Sequence, residues 1–407
     1  MRLKAETDIA IIGGGIAGLW LLNRLRQQGY SAVLLESGTL GGGQTHKAQG
    51  IIHGGMKYAL QGAVTPATKA IAAMPDFWQA CLTGNGTLDL RAVPILSDNQ
   101  YLWTTGGVAA KVAGFFAGLT LRSELKQLTR DAYPAVFQHP EFRGDVYVLD
   151  EKVIDVHALI RELVKSHQDA IFHIDPPAAS DLHYNEQGAI ESFDIHLAPM
   201  HAVSLFAKKF IFAAGSGNDA LLAQSNQSAA NTQRRPLHMV MVKHHFDYPV
   251  YAHCVGLSSV PRMTITTHRA HDGKYIWYIG GQIAEEGVHR DTARQCEVAK
   301  QELQALFPWL DFSTAAFASF PIDRAEAEQP GQRRPDSFTV KEIANYFVAW
   351  PTKLAFAPLL AENILQKLDP NTIRTGRADI RELRAWPIPA FAKPMWEQLF
   401  IPLADEL

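Results

Sequence analysis

Between the apolar run Ile9–Ile12 and a leucine-rich stretch beginning at Leu19 sits GGGIAG, which carries the spacing Gly13-x-Gly15-x-x-Gly18. Nothing else in the chain restricts the fold so tightly. Glycine at the first position permits a sharp turn. At the second it lets a ligand touch the main chain, and at the third it lets a helix lie on a strand. The flanks supply the partners. The pattern predicts a buried strand over 9–12, a turn over 13–18 and a helix over 19–28 with Leu21, Leu22 and Leu25 on one face. Gly29 ends the helix, and a second buried strand, 32–35, runs up to Glu36. Two doubly buried strands joined by a helix form a parallel βαβ unit. The helix start offers N–H groups and a positive dipole end to phosphates. Glu36 stands 18 residues beyond Gly18, at a strand end where an acid meets a ribose diol. Gly13, Gly15, Gly18 and Glu36 thus predict a dinucleotide site.

Two later stretches look like further strands of that sheet: KKFIFAAGSGND (208–219) and NYFVAWPTKLAFAPLLAENILQKL (345–368), the second entering a helix through a Pro-Thr turn. The intervening sequence reads differently. DLHYNEQGAIESFDIHLAP is hairpin-like, and RMTITTHRAHDGKYIWYIGGQI alternates and turns at Asp272-Gly273. The expected class is α/β, α+β overall: a Rossmann-like domain with a parallel sheet, plus an inserted antiparallel-sheet domain. The expected bounds are 1–85, 148–234 and 325–380 for the first, and 86–147 and 235–324 for the second. An irregular arm, 381–407, follows; it is rich in proline and aromatics, and a peripheral membrane contact through it is a second reading.

Composition narrows the function. A net charge of −3, without long runs of one sign, argues against a nucleic-acid partner. Cys81, Cys254 and Cys296 form no CxxC pair, and the histidine-rich KHHF (243–246) and THRAHD (267–272) lack metal-site spacing, so no metal is expected. The first residues lack a signal-peptide pattern and no apolar run reaches spanning length, which leads to a cytoplasmic expectation; the terminal ADEL reads as chance.

After Glu36 the chain runs SGTLGGGQTHKAQGIIHGGMKYAL, with glycine at 41–43, 50, 54 and 55. Such a segment lets backbone lie against something flat and long, and a flavin with its ribityl chain fits. With the fingerprint at 13–18, AAGS at 213–216, VIDVHALIREL at 153–163 and WPTKLAFAPLLAENI at 350–364, the chain resembles the D-amino-acid-oxidase-like FAD superfamily. Within it, GIIHGGMKYAL (50–60) is similar to segments of FAD-dependent glycerol-3-phosphate dehydrogenases and L-2-hydroxyglutarate oxidases. The last turn carries less glycine than that pattern, and DRAEAEQPGQRRPDSFTV lacks its glycine-arginine-proline run.

The resemblance implies FAD contacts at Gly13, Gly15, Ile16, Ala17 and Gly18, then at Glu36 and Ser37. It implies others at Gln44, Thr45, Gly50 and Ile51, at Ala214 and Gly215, and at Thr352, Lys353 and Leu354. It implies oxidation of a small anionic substrate, a 2-hydroxy acid or polyol phosphate, by hydride transfer to flavin N5, with oxygen or a quinone as electron acceptor. An amine or amino-acid oxidase of the same superfamily and a flavin-binding tRNA-modification factor are the alternatives. No second GxGxxG marks a site for NAD(P)H, so the electrons come from the substrate. His53 is the expected base, because histidine titrates where a proton must be taken at neutral pH. Tyr58 is expected to cap the pocket, with Lys57 beside it. Lys353 should face the flavin pyrimidine, and Arg324 a substrate carboxylate. His46 is a candidate for covalent flavin attachment.

Overall fold

The computed structural model describes residues 3–54, 71–106, 126–178, 181–198, 202–224, 231–255 and 260–401. Its first strand, β1 (Leu3–Ile12), is buried throughout Thr7–Ile12. The following helix, α1 (Ile16–Gln27), starts three residues before the expected Leu19, so the turn is confined to Gly13–Gly15. Gly18 makes that possible: a Cβ there would lie 1.9 Å from the Gly13 carbonyl oxygen, so only glycine lets the first helical turn settle onto the loop. All residues of α1 from Ile16 to Leu25 are buried, as its nearly unbroken apolar sequence requires. The strand β2 (Ala32–Glu36) completes the unit and pairs parallel with β1.

One eight-stranded sheet grows from this unit. Its path runs Thr339–Ile343, Tyr346–Trp350, Val203–Phe212, β1, β2, Ile171–His173. All pairs on the path are parallel except the hairpin of its first two strands. The register of Val203–Phe212 with β1 extends from Leu3 opposite Val203 to Ile12 opposite Phe212. The hairpin Leu182–Tyr184 and Ile190–Ile195 extends the same sheet antiparallel from Val203–Phe212. Helix Val156–Lys165 is capped by Asp155, which accepts the Ala158 N–H at 2.9 Å. It buries Val156, Leu159, Ile160, Leu163 and Val164, the spacing of one helical face.

The second eight-stranded sheet follows the path Ala316–Ala327, Thr232–His244, Tyr275–Gly280, Met263–Arg269, Ala252–Val255, Gln100–Thr104, Val146–Leu149, Lys126–Gln127. It is antiparallel apart from one parallel pair, Gln100–Thr104 with Ala252–Val255. The expected hairpin is present, with Gly273 supplying φ +80° between its strands. Trp103, Phe137, Trp277, Phe307 and Phe312 pack beneath this sheet, closed off by helix Thr292–Leu306. The strands Thr232–His244 and Ala316–Ala327 pair continuously from Thr232–Ala327 to Lys243–Ala316. They run straight through positions 234–235 and 324–325, so no loop separates the regions expected for the two domains there.

The C-terminal stretch is not wholly irregular: it holds a short 3-10 turn, Arg381–Leu383, and the helix Met395–Leu399. It lies along the body. The Leu40 N–H donates to the Ala390 carbonyl and the Ala392 N–H to the Leu40 carbonyl, at 2.8 and 3.0 Å. The Trp396 ring stacks on His268 at 4.5 Å between centroids. Ile388, Phe391 and Ile401 are exposed. Among the described residues, no helix is long and apolar enough to cross a membrane.

Candidate active site

A cavity of about 710 Å³ opens at the C-terminal ends of the parallel strands, where the antiparallel sheet meets them. Open parallel sheets place ligands there, and the volume suits a small-molecule or cofactor site. Gly13, Gly15, Ile16 and Ala17 line its start. A Cβ on Gly13 would lie 2.5 Å from the Ala213 carbonyl oxygen, so this glycine brings the turn against the neighbouring strand. A Cβ on Gly15 would meet only the Thr45 hydroxyl at 3.2 Å, which leaves that face to the cavity. Gly18 is absent from the lining; its work is the packing already described.

Glu36 and Ser37 line the cavity at the end of β2. The Glu36 carboxylate is already engaged: Gly14 N–H donates to one oxygen and Gly38 N–H to the other, each at 2.6 Å. A carboxylate has about four lone-pair sites, so ribose hydroxyls still find acceptors. Gln44, Thr45, Gly50 and Ile51 follow along the wall. The Thr45 hydroxyl accepts the Ile16 N–H at 3.1 Å, so it serves the helix start as well as the cavity.

The glycines here have more than one reason to be glycine. Gly50 has φ +75°, and its Cβ would lie 2.2 Å from the Ile154 carbonyl oxygen, so the protein's own backbone demands it. A Cβ on Gly42 would lie 2.2 Å from the Thr39 hydroxyl. Gly43, a lining residue, has open space at its Cβ. Internal packing therefore explains Gly42 and Gly50, while Gly15 and Gly43 leave the main chain open to the cavity.

His46 is buried outside the lining, its Nδ1 3.1 Å from the Gly41 carbonyl, and burial pushes its pKa down. A ring committed to that carbonyl away from the cavity does not suit covalent attachment. Ala214 and Gly215 line the facing wall, where the buried Asn218 amide oxygen accepts the Ala214 N–H at 2.9 Å. Thr352, Lys353 and Leu354 complete it. Thr352 adopts φ +60°, a conformation that a β-branched residue rarely takes. The Lys353 N–H reaches back to the Pro351 carbonyl at 2.6 Å, and the Thr352 hydroxyl donates to the Ser337 carbonyl at 2.9 Å. The turn that glycine would make easily is thus made by a pinned threonine. The Lys353 ammonium lies 5.7 Å from the Phe356 ring centroid.

His53 and Arg324 both line this cavity, so the structure brings them together with Lys353; Lys57 and Tyr58 lie outside the described residues. Arg324, near the end of strand Ala316–Ala327, donates through Nε to the Arg235 carbonyl at 3.1 Å. Burial, then the like charges of Arg235 and Arg334, lower its pKa to about 10, and Glu326 and Glu285 offset this in part. It stays cationic at neutral pH, in a place that works against its charge.

The sequence reading missed three residues of this region. Arg334 lines the cavity and its buried Nε has no hydrogen-bond partner among the described residues. Glu151 and His253 stand beside His53, with ligand atoms of the three within 4.8 Å of one another, and no other such group occurs among the described residues. His253 Nδ1 is also only 2.8 Å from the Thr264 hydroxyl, so the cluster is a hydrogen-bonded network in this structure. KHHF and THRAHD are used elsewhere: Lys243 pairs with Asp272 at 2.7 Å and His271 with Glu397 at 2.7 Å.

The site and fold define a dinucleotide-dependent enzyme, and comparison with known proteins gives its family. The FAD dependent oxidoreductase family (DAO) matches residues 8–349, and the chain belongs to it. A probable FAD-dependent oxidoreductase of Pseudomonas aeruginosa, PA4991, is 44% identical over 401 residues, covering 98% of this chain and 100% of that protein. Its crystal structure superposes with a TM-score of 0.82 at 39% identity, over 98% of this chain and 99% of that one. L-alpha-glycerophosphate oxidase from Mycoplasma pneumoniae, with FAD bound, gives 0.63 at 13% identity, over 94% and 99% of the two chains. Glycine oxidase from Geobacillus kaustophilus gives 0.62 at 15%, over 90% and 96%. The last two share the fold. The protein is an FAD-dependent oxidoreductase, and the glycine turn, the Glu36 carboxylate and the open faces of Gly15 and Gly43 fit that cofactor.

Proposed function

We propose that this enzyme oxidises a small anionic substrate carrying a secondary hydroxyl, a 2-hydroxy acid or polyol phosphate, with Arg324 holding the anion and His53 taking the hydroxyl proton. The observation that carries the reading is Arg324, a cation on the cavity wall opposed by burial and by the charges of Arg235 and Arg334. A bound anion would relieve all three. A guanidinium fork matches a carboxylate or phosphate in two parallel hydrogen bonds, and the buried Nε of Arg334 is a donor in want of an acceptor. Bound FAD would supply the hydride acceptor, its N5. Gly13, Gly15 and Ala17 would hold the pyrophosphate end, Glu36 the ribose, and Lys353 would bring a positive charge to the far wall.

An amino acid offers the same carboxylate, so the alternatives part at the reacting carbon. A hydroxyl needs a base to lose its proton. The His53 imidazole, backed by a buried carboxylate, favours the hydroxyl reading. The test is an anaerobic screen of the yellow holoenzyme against 2-hydroxy acids, polyol phosphates, amino acids and secondary amines, read as flavin bleaching. Bleaching by a hydroxy acid or polyol phosphate is expected, with the apparent affinity weakened about 10²-fold in Arg324→Ala. Bleaching by amines alone would refute the proposal.

A further inference from the structure

We propose that Glu151 is a positioning residue for His53: its carboxylate fixes which ring nitrogen meets the substrate and stabilises the imidazolium formed when His53 takes a proton. This rests on the base role given to His53 above.

Glu151 lies between Val146–Leu149, a strand of the antiparallel sheet, and Val153–Ile154, which pairs with Ile95–Ser97 instead. It therefore sits where the chain changes sheets, and it is 4% exposed. One oxygen accepts the Gly54 N–H at 2.7 Å and the other lies 3.3 Å from His53 Nδ1. A single carboxylate thus grips the ring of one residue and the main chain of the next. The His253 ring lies near-parallel to that of His53, with centroids 6.2 Å apart at 22°. A buried carboxylate is costly unless paired and hydrogen-bonded. Burial here pushes the Glu151 carboxyl up. The His53 hydrogen bond, the charges of His53 and His253 and the Gly54 N–H outweigh that and hold it below its ordinary value.

The chemistry follows from that ionised state. A carboxylate only accepts, so His53 Nδ1 must carry a hydrogen, and in a neutral imidazole the basic nitrogen is then Nε2. The substrate O–H proton goes to Nε2, Nδ1 keeps its own, and the positive ring then lies beside a negative carboxylate. The sequence hid this pair because residues 53 and 151 meet through a bridge between segments far apart in the chain, with Ile51 opposite Val153 and the Ile52 N–H donating to the Lys152 carbonyl at 2.8 Å.

Glu151→Gln keeps the shape and removes the charge. Histidine-selective ¹⁵N NMR, with the His53 signal identified by its loss in His53→Ala, reads the ring without needing turnover. The variant should lower the His53 pKa by about one unit or more and raise the population of the other tautomer. Flavin reduction per bound flavin should fall about 10²-fold with KM nearly unchanged. Glu151→Asp keeps the charge at shorter reach, so its His53 pKa should lie between wild type and Glu151→Gln. It serves as the test should the glutamine variant fail to fold. Unchanged His53 pKa and tautomer in a folded, FAD-loaded variant would overturn the positioning role. If His53→Ala reduces flavin as fast as wild type, the base reading fails. If His53→Ala is slow but Glu151→Gln is not, only the positioning role fails.

Discussion

Single residues carry much of this site's specification, and two can be tested directly. Gly15 is open to the cavity, with only the Thr45 hydroxyl near its Cβ position. A valine there would occupy the place of a phosphate, so Gly15→Val should fold and lose FAD, seen as colourless protein with wild-type circular dichroism. Wild-type FAD affinity in that variant would remove the glycine turn from the cofactor site. Thr352 is the second case. Its φ of +60° costs on the order of 1 kcal/mol or more, while its hydroxyl bond to Ser337 returns a comparable amount. Thr352→Ala keeps the unfavourable backbone and loses the bond, so it should be the least stable variant, by about 1 kcal/mol in chemical denaturation. Thr352→Gly relaxes the backbone and should lie between it and wild type; a glycine variant less stable than the alanine one would show that the turn is not strained.

Among elements, the C-terminal helix Met395–Leu399 has an unusual mooring. Trp396 stacks on His268 and meets His157 edge-on at 5.4 Å. Burial lowers both imidazoles to about 4. The Asp155 charge opposes this in each, His46 and Arg161 add to it at His157, and His157 adds to it at His268. Both rings are therefore neutral in the folded protein, whereas the unfolded chain protonates them below about 6.5. This stability is fully present above pH 6.5 and is lost as pH falls towards 4, up to roughly 3 kcal/mol for His268. Tryptophan fluorescence and limited proteolysis between pH 7 and 4.5 should show the arm detaching, and His268→Phe should remove about half of the pH dependence, His157 supplying the rest. Detachment at the same pH in His268→Phe would place the acid sensitivity elsewhere. The elements also show what a sequence can disclose. The βαβ unit was legible because apolar runs, glycine turn and strand-end acid are contiguous. The start of α1 was not, because only the contact between Gly18 and the Gly13 carbonyl shows that the helix reaches back to Ile16.

At the scale of the whole molecule, legibility declines with separation along the chain. His53, Arg324 and Lys353 could be read from local context as cavity residues, yet Arg334 lines the same cavity, and Glu151 and His253 stand beside His53, only because segments far apart in the chain are brought together there. Periodicity reports which face is buried and says nothing of which distant side chain shares that burial. The same global view gives a prediction about electron supply. The chain has one glycine fingerprint, at 13–18, and it lines the cavity described. NADH and NADPH should therefore bleach the flavin at least about 10²-fold more slowly than the true substrate, a gap of roughly 3 kcal/mol in barrier. Rapid bleaching by either in stopped flow would contradict a one-dinucleotide enzyme. The sheet order has a consequence for biosynthesis. The inner partner of β1 is Val203–Phe212, and the next strand is Tyr346–Trp350. The first strand to leave the ribosome must therefore wait through half the chain for its neighbour, and the cavity wall at Thr352 arrives later still. A nascent chain interrupted before that point would hold an exposed, apolar βαβ fragment that cannot retain its coenzyme. Such fragments are prone to aggregate, so for this enzyme the supply of FAD matters most at the end of translation, not at its beginning.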